Sequence, residues 1–325
     1  MRPALLIHLD DEHAPARRLA EACGLPLAPV QRHRFPDGEL RLQLPFDEAS
    51  STRPEHLVIY RSLNQPNEKL VELLLLASQA RTWGVRHITL VAPYLAYMRQ
   101  DMSFHPGEVV SQRQIGRLLA GHFDALLTVD PHLHRVATLQ EAVPLAQAVT
   151  LSAAPWLAAH VGRVLGQAPG ERGGNSDGSR DAGTPLEGLA RIVLVGPDSE
   201  SAPWIQAAAA VLGCDFGVCE KVRHGDHDVR IALPELDVAG RPVVLLDDIA
   251  SSGRTLAVAA RALLAHGAAS VDVAVTHALF AHDALDTVHA AGVRHVWSTD
   301  SVVHDSNVVM LAPLLAQAVG QILSA

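Results

Sequence analysis

The feature that most narrows what this chain can fold into is an alternation. Short runs rich in β-branched residues and leucine recur along it, separated by longer stretches rich in alanine and leucine. His56–Tyr60, His87–Ala92, Ala125–Val129, Arg191–Gly196, Val243–Leu246, Val271–Thr276 and Arg294–Ser298 read as strands. Glu68–Trp83, Ser111–Ala120, Ala153–Leu165, Ala202–Leu212, Thr255–His266 and Met310–Leu323 read as helices. Parallel neighbours need a crossover, which is usually helical. The pattern therefore predicts an α/β fold of mostly parallel sheets with helices on both faces. Such sheets bind ligands beyond the carboxyl ends of their strands. The segments just past the strands are where chemistry is expected.

A chain of 325 residues suits two domains better than one. Hydrophobic residues make up 48% and aromatics only 4%, so the cores must be aliphatic. The formal charge of −9 argues against the basic stripes that track nucleic acid, and an anionic ligand must be met by a local positive site. The N-terminal apolar run, Pro3 to Ile7, is short and followed by acids, unlike a signal peptide. No segment approaches the ~20 apolar residues of a membrane helix. These features predict a cytoplasmic protein with no nucleic-acid or membrane partner. Cys23, Cys214 and Cys219 show no metal-ligand or disulfide spacing and read as free thiols. Among 26 basic residues only Lys69 and Lys221 are lysine. The stretch 167–187 is rich in Gly, Ser, Asp and Pro, and reads as a flexible insertion inside the second domain.

The strongest motif is VVLLDDIASSGRT, Val243 to Thr255. A buried strand ends in Asp247 and Asp248. A turn of small residues, Ser251-Ser252-Gly253, then opens a helix through Arg254 and Thr255. Small residues let backbone N–H groups converge on a concavity, and the helix N-terminus adds partial positive charge. That cradle suits one phosphate, and Ser251, Ser252 and Thr255 add hydroxyl donors. The paired acids can accept hydrogen bonds from vicinal ribose hydroxyls. Together they describe a site for a pentose 5-phosphate. The bland alternative makes the acids loop solvators and Thr255 a helix cap.

This segment resembles the phosphoribosyl-pyrophosphate loop of type I phosphoribosyltransferases and of ribose-phosphate pyrophosphokinases. Other segments favour the second family. RFPDGEL, Arg34 to Leu40, is similar to the pyrophosphokinase element that lines the ATP base and ribose. The likeness implies that Phe35 stacks on adenine, with Asp37 and Glu39 as polar contacts. Taken alone, the segment also fits an ordinary Pro-Asp-Gly turn into a strand. PYLAYMRQD, Pro93 to Asp101, resembles the family's ATP-contacting element and assigns Arg99, Gln100 and Asp101 to ATP. The Pro106-Gly107-Glu108 segment after it looks closer to archaeal-type members than to the common bacterial ones. TVDPHLH carries the family's Asp-x-His at Asp130 and His132, which implies that His132 stands beside the Mg–ATP phosphates; His134 matches nothing in the pattern. GPDSES matches at Asp198, a residue implied to help hold Mg2+. Glu200 departs from the usual small residues there, and either points away or alters metal binding. CEKVRHGD matches a Lys-x-Arg pair on the family's mobile catalytic loop, at Lys221 and Arg223. Arg254 is unusual in the phosphate loop, and either clamps the 5-phosphate or faces solvent.

The resemblance implies two phosphoribosyltransferase-type I domains, each a mostly parallel sheet flanked by helices. Domains are expected at 1–148 and 149–307, with a C-terminal helix over 308–325 that packs back on the first. It implies an Mg2+-dependent diphosphokinase acting on ATP and ribose 5-phosphate, assembled as a homo-oligomer. Two rivals share the motifs: a phosphoribosyltransferase that consumes phosphoribosyl pyrophosphate, and a non-catalytic regulatory paralogue.

Overall fold

A computed structural model describes residues 4–51, 53–166, 186–224 and 228–324. Its first elements are β1 (Ala4–His8), α1 (His13–Cys23), β2 (Leu27–Pro29), β3 (Gln31–Arg34), β4 (Leu40–Gln43), β5 (His56–Tyr60), α2 (Pro66–Thr82), β6 (His87–Val91), α3 (Ser111–Ala120), β7 (Ala125–Val129), α4 (Leu139–Ala142) and β8 (Gln147–Leu151). Next come α5 (Ala154–Leu165), α6 (Leu186–Ala190), β9 (Val193–Gly196), α7 (Ala202–Leu212), β10 (Asp215–Val218), β11 (Glu220–His224), β12 (Asp228–Ala232) and β13 (Pro242–Ala250). The last are α8 (Arg254–Ala265), β14 (Ser270–Ala278), α9 (Ala284–Ala290), β15 (Val293–Thr299), β16 (Asn307–Val309) and α10 (Ala312–Ser324).

The chain divides into two compact units. One comprises Met1–Leu151, Asp300–Val303 and Met310–Ala325; the other comprises Ser152–Thr299 and His304–Val309. The first sheet runs β2-β1-β5-β6-β7-β8 and the second β10-β9-β13-β14-β15-β16, every pair parallel. Each unit also carries one antiparallel hairpin, β3–β4 or β11–β12, between its edge strand and its third strand. The second unit thus repeats the strand order of the first, eight strands on.

Burial explains why these runs became central strands. Leu57, Val58 and Ile59 of β5 are all fully buried, although successive side chains of a strand point to opposite faces. Both faces must therefore be covered, as a parallel sheet requires. The second sheet does the same with Val243, Val244 and Leu245. The cores are aliphatic, built from Leu, Val, Ile and Ala with few rings. Truncating one such leucine to alanine costs about 2–5 kcal/mol in cores of this kind. In the first unit α10 packs against α1, burying Leu315, Ala318, Val319 and Ile322. Every strand and helix expected from the alternation is present within a few residues. The insertion expected at 167–187 lies outside the described residues but for the first residues of α6.

Candidate active site

In the second unit, β13 does not stop where its apolar run stops. Its register with β14 continues through Asp247↔Val275, Ile249↔His277 and Ala250↔Ala278. Both aspartates are therefore strand residues rather than the start of a loop. Ladder bonds to β14 override their low strand propensity. Asp248 is buried and its N–H donates to Asp247 Oδ1 at 3.1 Å. Burial, with the negative charges of Asp248 and Asp198, holds the Asp247 carboxyl well above the usual carboxylate range. A group pushed up by burial and like charges beside a turn is what a ligand site looks like.

The turn after β13 is pinned by its neighbours. Phe280 N–H donates to Ala250 O and Ala281 N–H to Ser251 O, both at 3.0 Å. Gly253 precedes α8 with φ 67°, in the left-handed region. A Cβ at that position would lie 2.8 Å from both Ala284 O and Val288 Cγ2 of α9. Glycine is required there by conformation and by space. Gly253, not Thr255, caps α8, whose first N–H groups lack intrahelical acceptors. Ser252 and Arg254 are exposed, while Ser251 and Thr255 are half-buried.

Asp198 lies just past β9. Its carboxylate accepts from Glu200 N–H at 3.1 Å and its carbonyl from Ser201 Oγ at 2.6 Å, which folds the Ser199–Ser201 turn around it. Glu200 itself is exposed. Cys219 is buried near Asp198, and burial, helped by that negative charge, pushes its thiol up to about 12. Lys221 and Arg223 were expected on a catalytic loop. The structure instead has them on strand β11, opposite Ile231 and Val229 of β12. β11 and β12 pair antiparallel from Glu220↔Ala232 to His224↔Asp228.

The first unit carries the other predicted residues. Phe35, Asp37 and Glu39 form the turn of the β3–β4 hairpin. Phe35 N–H donates to Glu39 O at 2.8 Å, and Gly38 N–H to Phe35 O at 2.9 Å. Glu39 N–H donates to Asp37 Oδ1 at 3.1 Å. Phe35 stays 39% exposed, its ring edge-on to His33. The turn and a ring presented to solvent thus coexist in one segment. Arg99 is exposed, Gln100 donates to Met102 O at 3.1 Å, and Tyr97 sits at φ 65°. Asp101 is buried and holds Arg135 at 2.7 Å, while its Oδ2 has no hydrogen-bond partner among the described residues. After β7, Asp130 is buried at φ 37°. His132 lies beyond it, in ring contact with His134.

One cluster has no counterpart in the motifs. Arg61, directly after β5, is buried and donates to Asp11 at 2.7 Å, Glu72 at 2.8 Å and Glu12 at 3.1 Å. Lys69 Nζ donates to Ser62 O and Asn64 Oδ1 at 2.7 Å and to Glu12 at 3.3 Å. Ser62 Oγ in turn accepts from Tyr94 N–H at 3.1 Å, at the start of the segment that carries Arg99. The scarcity of lysine draws attention to Lys69, but no spacing rule pairs it with Glu12.

Comparison with known proteins agrees with this architecture. A family model described as the N-terminal domain of ribose phosphate pyrophosphokinase matches residues 4–121, and one for the phosphoribosyl transferase domain matches 179–307. The ribose-phosphate pyrophosphokinase of Methanopyrus kandleri is 36% identical, covering 93% of this chain and 94% of the relative. That of Methanothermobacter thermautotrophicus is 30% identical at 93% and 94% coverage. The Halobacterium salinarum protein of the same name is 32% identical at 97% and 100%. These relatives are archaeal, in keeping with the Pro106-Gly107-Glu108 segment. A crystal structure of phosphoribosylpyrophosphate synthetase from Mycobacterium smegmatis superposes with a TM-score of 0.79 over 99% of both chains at 21% identity, a likeness of fold. With relatives at this identity along almost its whole length, the chain belongs to the ribose-phosphate pyrophosphokinase family of transferases.

Proposed function

We propose that this protein transfers the diphosphoryl group of Mg–ATP to the 1-hydroxyl of ribose 5-phosphate, giving phosphoribosyl pyrophosphate and AMP. The observation that carries the reading is the end of β13, where acids crowd one another beside a turn of small residues opening a helix. Asp247 and Asp248 accept hydrogen bonds from the ribose hydroxyls. The N–H groups around Ser251, Ser252 and Gly253, with the Thr255 hydroxyl, hold the 5-phosphate. Phe35 stacks on adenine, Asp37 and Glu39 take its ribose, and Arg99, Gln100 and Asp101 serve the triphosphate side.

The crowded carboxylates fit a hard divalent cation, which prefers oxygen ligands. Asp198 in the second unit and His132 in the first are each a candidate ligand for Mg2+, which would supply charge neutralisation and orientation of the phosphate oxygens. The anomeric oxygen attacks the β-phosphorus. The bond from that phosphorus to the α–β bridging oxygen breaks, AMP leaves, and the hydroxyl proton is released. Lys221 and Arg223 stabilise charge that builds on the transferred oxygens. No covalent enzyme intermediate is required. The reading includes a homo-oligomer working in the cytoplasm, without nucleic-acid or membrane partners. Among the described residues no helix is long and apolar enough to cross a membrane.

The test is AMP release from ATP and ribose 5-phosphate, set against pyrophosphate release from phosphoribosyl pyrophosphate with nucleobases. The first activity without the second is expected. Lys221→Ala should lower turnover about 100-fold or more, as loss of a transition-state charge partner does, with ribose 5-phosphate still bound. Near-normal turnover would remove Lys221 from the mechanism.

A further inference from the structure

His134 has no place in the family pattern read from the sequence, yet the structure brings it against His132. The two rings meet edge to face, with centroids 4.1 Å apart and planes at 79°, and their Nε2 atoms form the contact. The backbone arranges this. Alternate residues of an extended segment point the same way. Leu133, between the two, packs against the hydrophobic core of the first unit, so its neighbours turn outward together.

The segment is also held at both ends. Upstream, Pro131 and Asp130 are buried, and Asp130 N–H donates to Leu151 O at 2.9 Å. Downstream, Arg135 is tied to Asp101 at 2.7 Å and lies over the Phe104 ring at 5.8 Å. The Arg135 cation is thus offset by a buried carboxylate. Two imidazole nitrogens therefore converge from a frame that needs little rearrangement to present them.

We propose that His132 and His134 form a two-imidazole chelate for a first-row transition dication. The inference shares His132 with the diphosphokinase reading, which calls on it for Mg2+, and adds His134 as a second nitrogen that selects a different class of metal. Imidazole nitrogen suits cobalt, nickel, copper and zinc, whereas Mg2+ prefers oxygen and holds its water. Without a metal, one Nε2–H donates to the other Nε2. Binding needs both lone pairs, so the donating ring moves its proton to Nδ1, with no net proton lost from a neutral pair. Water or a ligand oxygen fills the remaining positions. Another close pair in this unit, buried His8 with His13, joins Nδ1 of His13 to Nε2 of His8 at 3.2 Å and serves as a comparison site.

The experiment titrates Co2+ into the full-length protein, stripped with a chelator and free of nucleotide and sugar, with Mg2+ in excess. Visible absorption and calorimetry report binding. Wild-type protein should take up one tight Co2+ that Mg2+ does not displace. His134→Ala and His132→Ala should each weaken it about ten-fold or more, the least that even an outer-shell loss costs. His13→Ala should not. Unchanged melting of the metal-free His134→Ala protein excludes misfolding, a safe expectation for an exposed side chain. Co2+ affinity unaltered by His134→Ala, or Co2+ displaced by Mg2+, would overturn the chelate and reduce the pair to a hydrogen bond. Because binding is read without substrates, failure of the AMP assay leaves this result standing, and the converse holds.

Discussion

Each unit sends its third strand into a turn that opens a helix, and in both the residue before the helix is left-handed: Gln65 at φ 56° before α2, and Gly253 at φ 67° before α8. Directly after β5 comes Arg61, matched by Glu72, Glu12 and Asp11, with Lys69 set over Glu12 and Asp11. At the end of β13 stands a pair of aspartates facing a third. In the first turn burial works against every ion, yet Arg61, Lys69 and Arg32 together still draw Asp11 down. Glu12 is raised and Lys69 lowered, because burial outweighs their partners. In the second turn burial and neighbouring charge push Asp247 the same way. The same backbone device is closed by its own counter-ions in one unit, and in the other presents a surplus of one sign.

The comparison can be broken, and most strongly at its closed side. Glu72→Ala takes one of three carboxylates from buried Arg61, and breaking a buried pair costs up to about 3–5 kcal/mol. Urea unfolding should register that loss. A change below about 1 kcal/mol would mean the network is not what closes the turn. Gly253→Ala comes next, costing about 1–3 kcal/mol for the left-handed residue alone, with the α9 contact adding to it. It should weaken ribose 5-phosphate binding as well, whereas Gln65→Gly should be nearly silent on both.

Asp247→Asn should act in the opposite direction. A carboxyl whose folded pKa is raised favours folding below its unfolded value, near 3.9. That benefit is lost as pH rises through the interval up to the folded value, so Asp247 burdens the free protein above that interval. The variant should gain about 1 kcal/mol there, roughly 2–4 °C in Tm for a unit of this size, and nothing at pH 3. A Tm that falls at pH 7 would contradict the crowding. Smallest of all is Arg254→Ala, within about 0.5 kcal/mol for an exposed residue. Should KM for ribose 5-phosphate nonetheless rise ten-fold, about 1.4 kcal/mol, Arg254 is a phosphate clamp rather than a solvent-facing charge.

Much of the fold was legible because buried parallel strands advertise themselves as unbroken apolar runs. β5, β6, β7 and β13 are of this kind. Edge strands are not: β2 and β10 are short and half-exposed, and β3 reads Gln-Arg-His-Arg, with no apolar face to detect. The hairpin β11–β12 is set by register, which a Lys-x-Arg spacing does not reveal. Motifs gave the candidate residues after β9 and β13 because small residues and acids at strand ends have few other uses. The pairing of Arg61 with Glu72 was out of reach. A glutamate among the leucines of α2 reads as a surface residue until its partner is seen. His134 is opaque for a related reason, since only the structure shows half-buried Leu133 packing on the core between two histidines whose rings meet.

The Cys219 thiol has a practical consequence. Its N–H is bound to Gly196 O at 2.8 Å, its side chain is fully covered, and a thiol pushed up to about 12 holds almost no thiolate at neutral pH. Thiolate, not thiol, attacks alkylating reagents, so in the closed protein this sulfur should be chemically silent. Its labelling rate then becomes an internal stopwatch, ticking only when the ground between β10 and β11 opens to solvent.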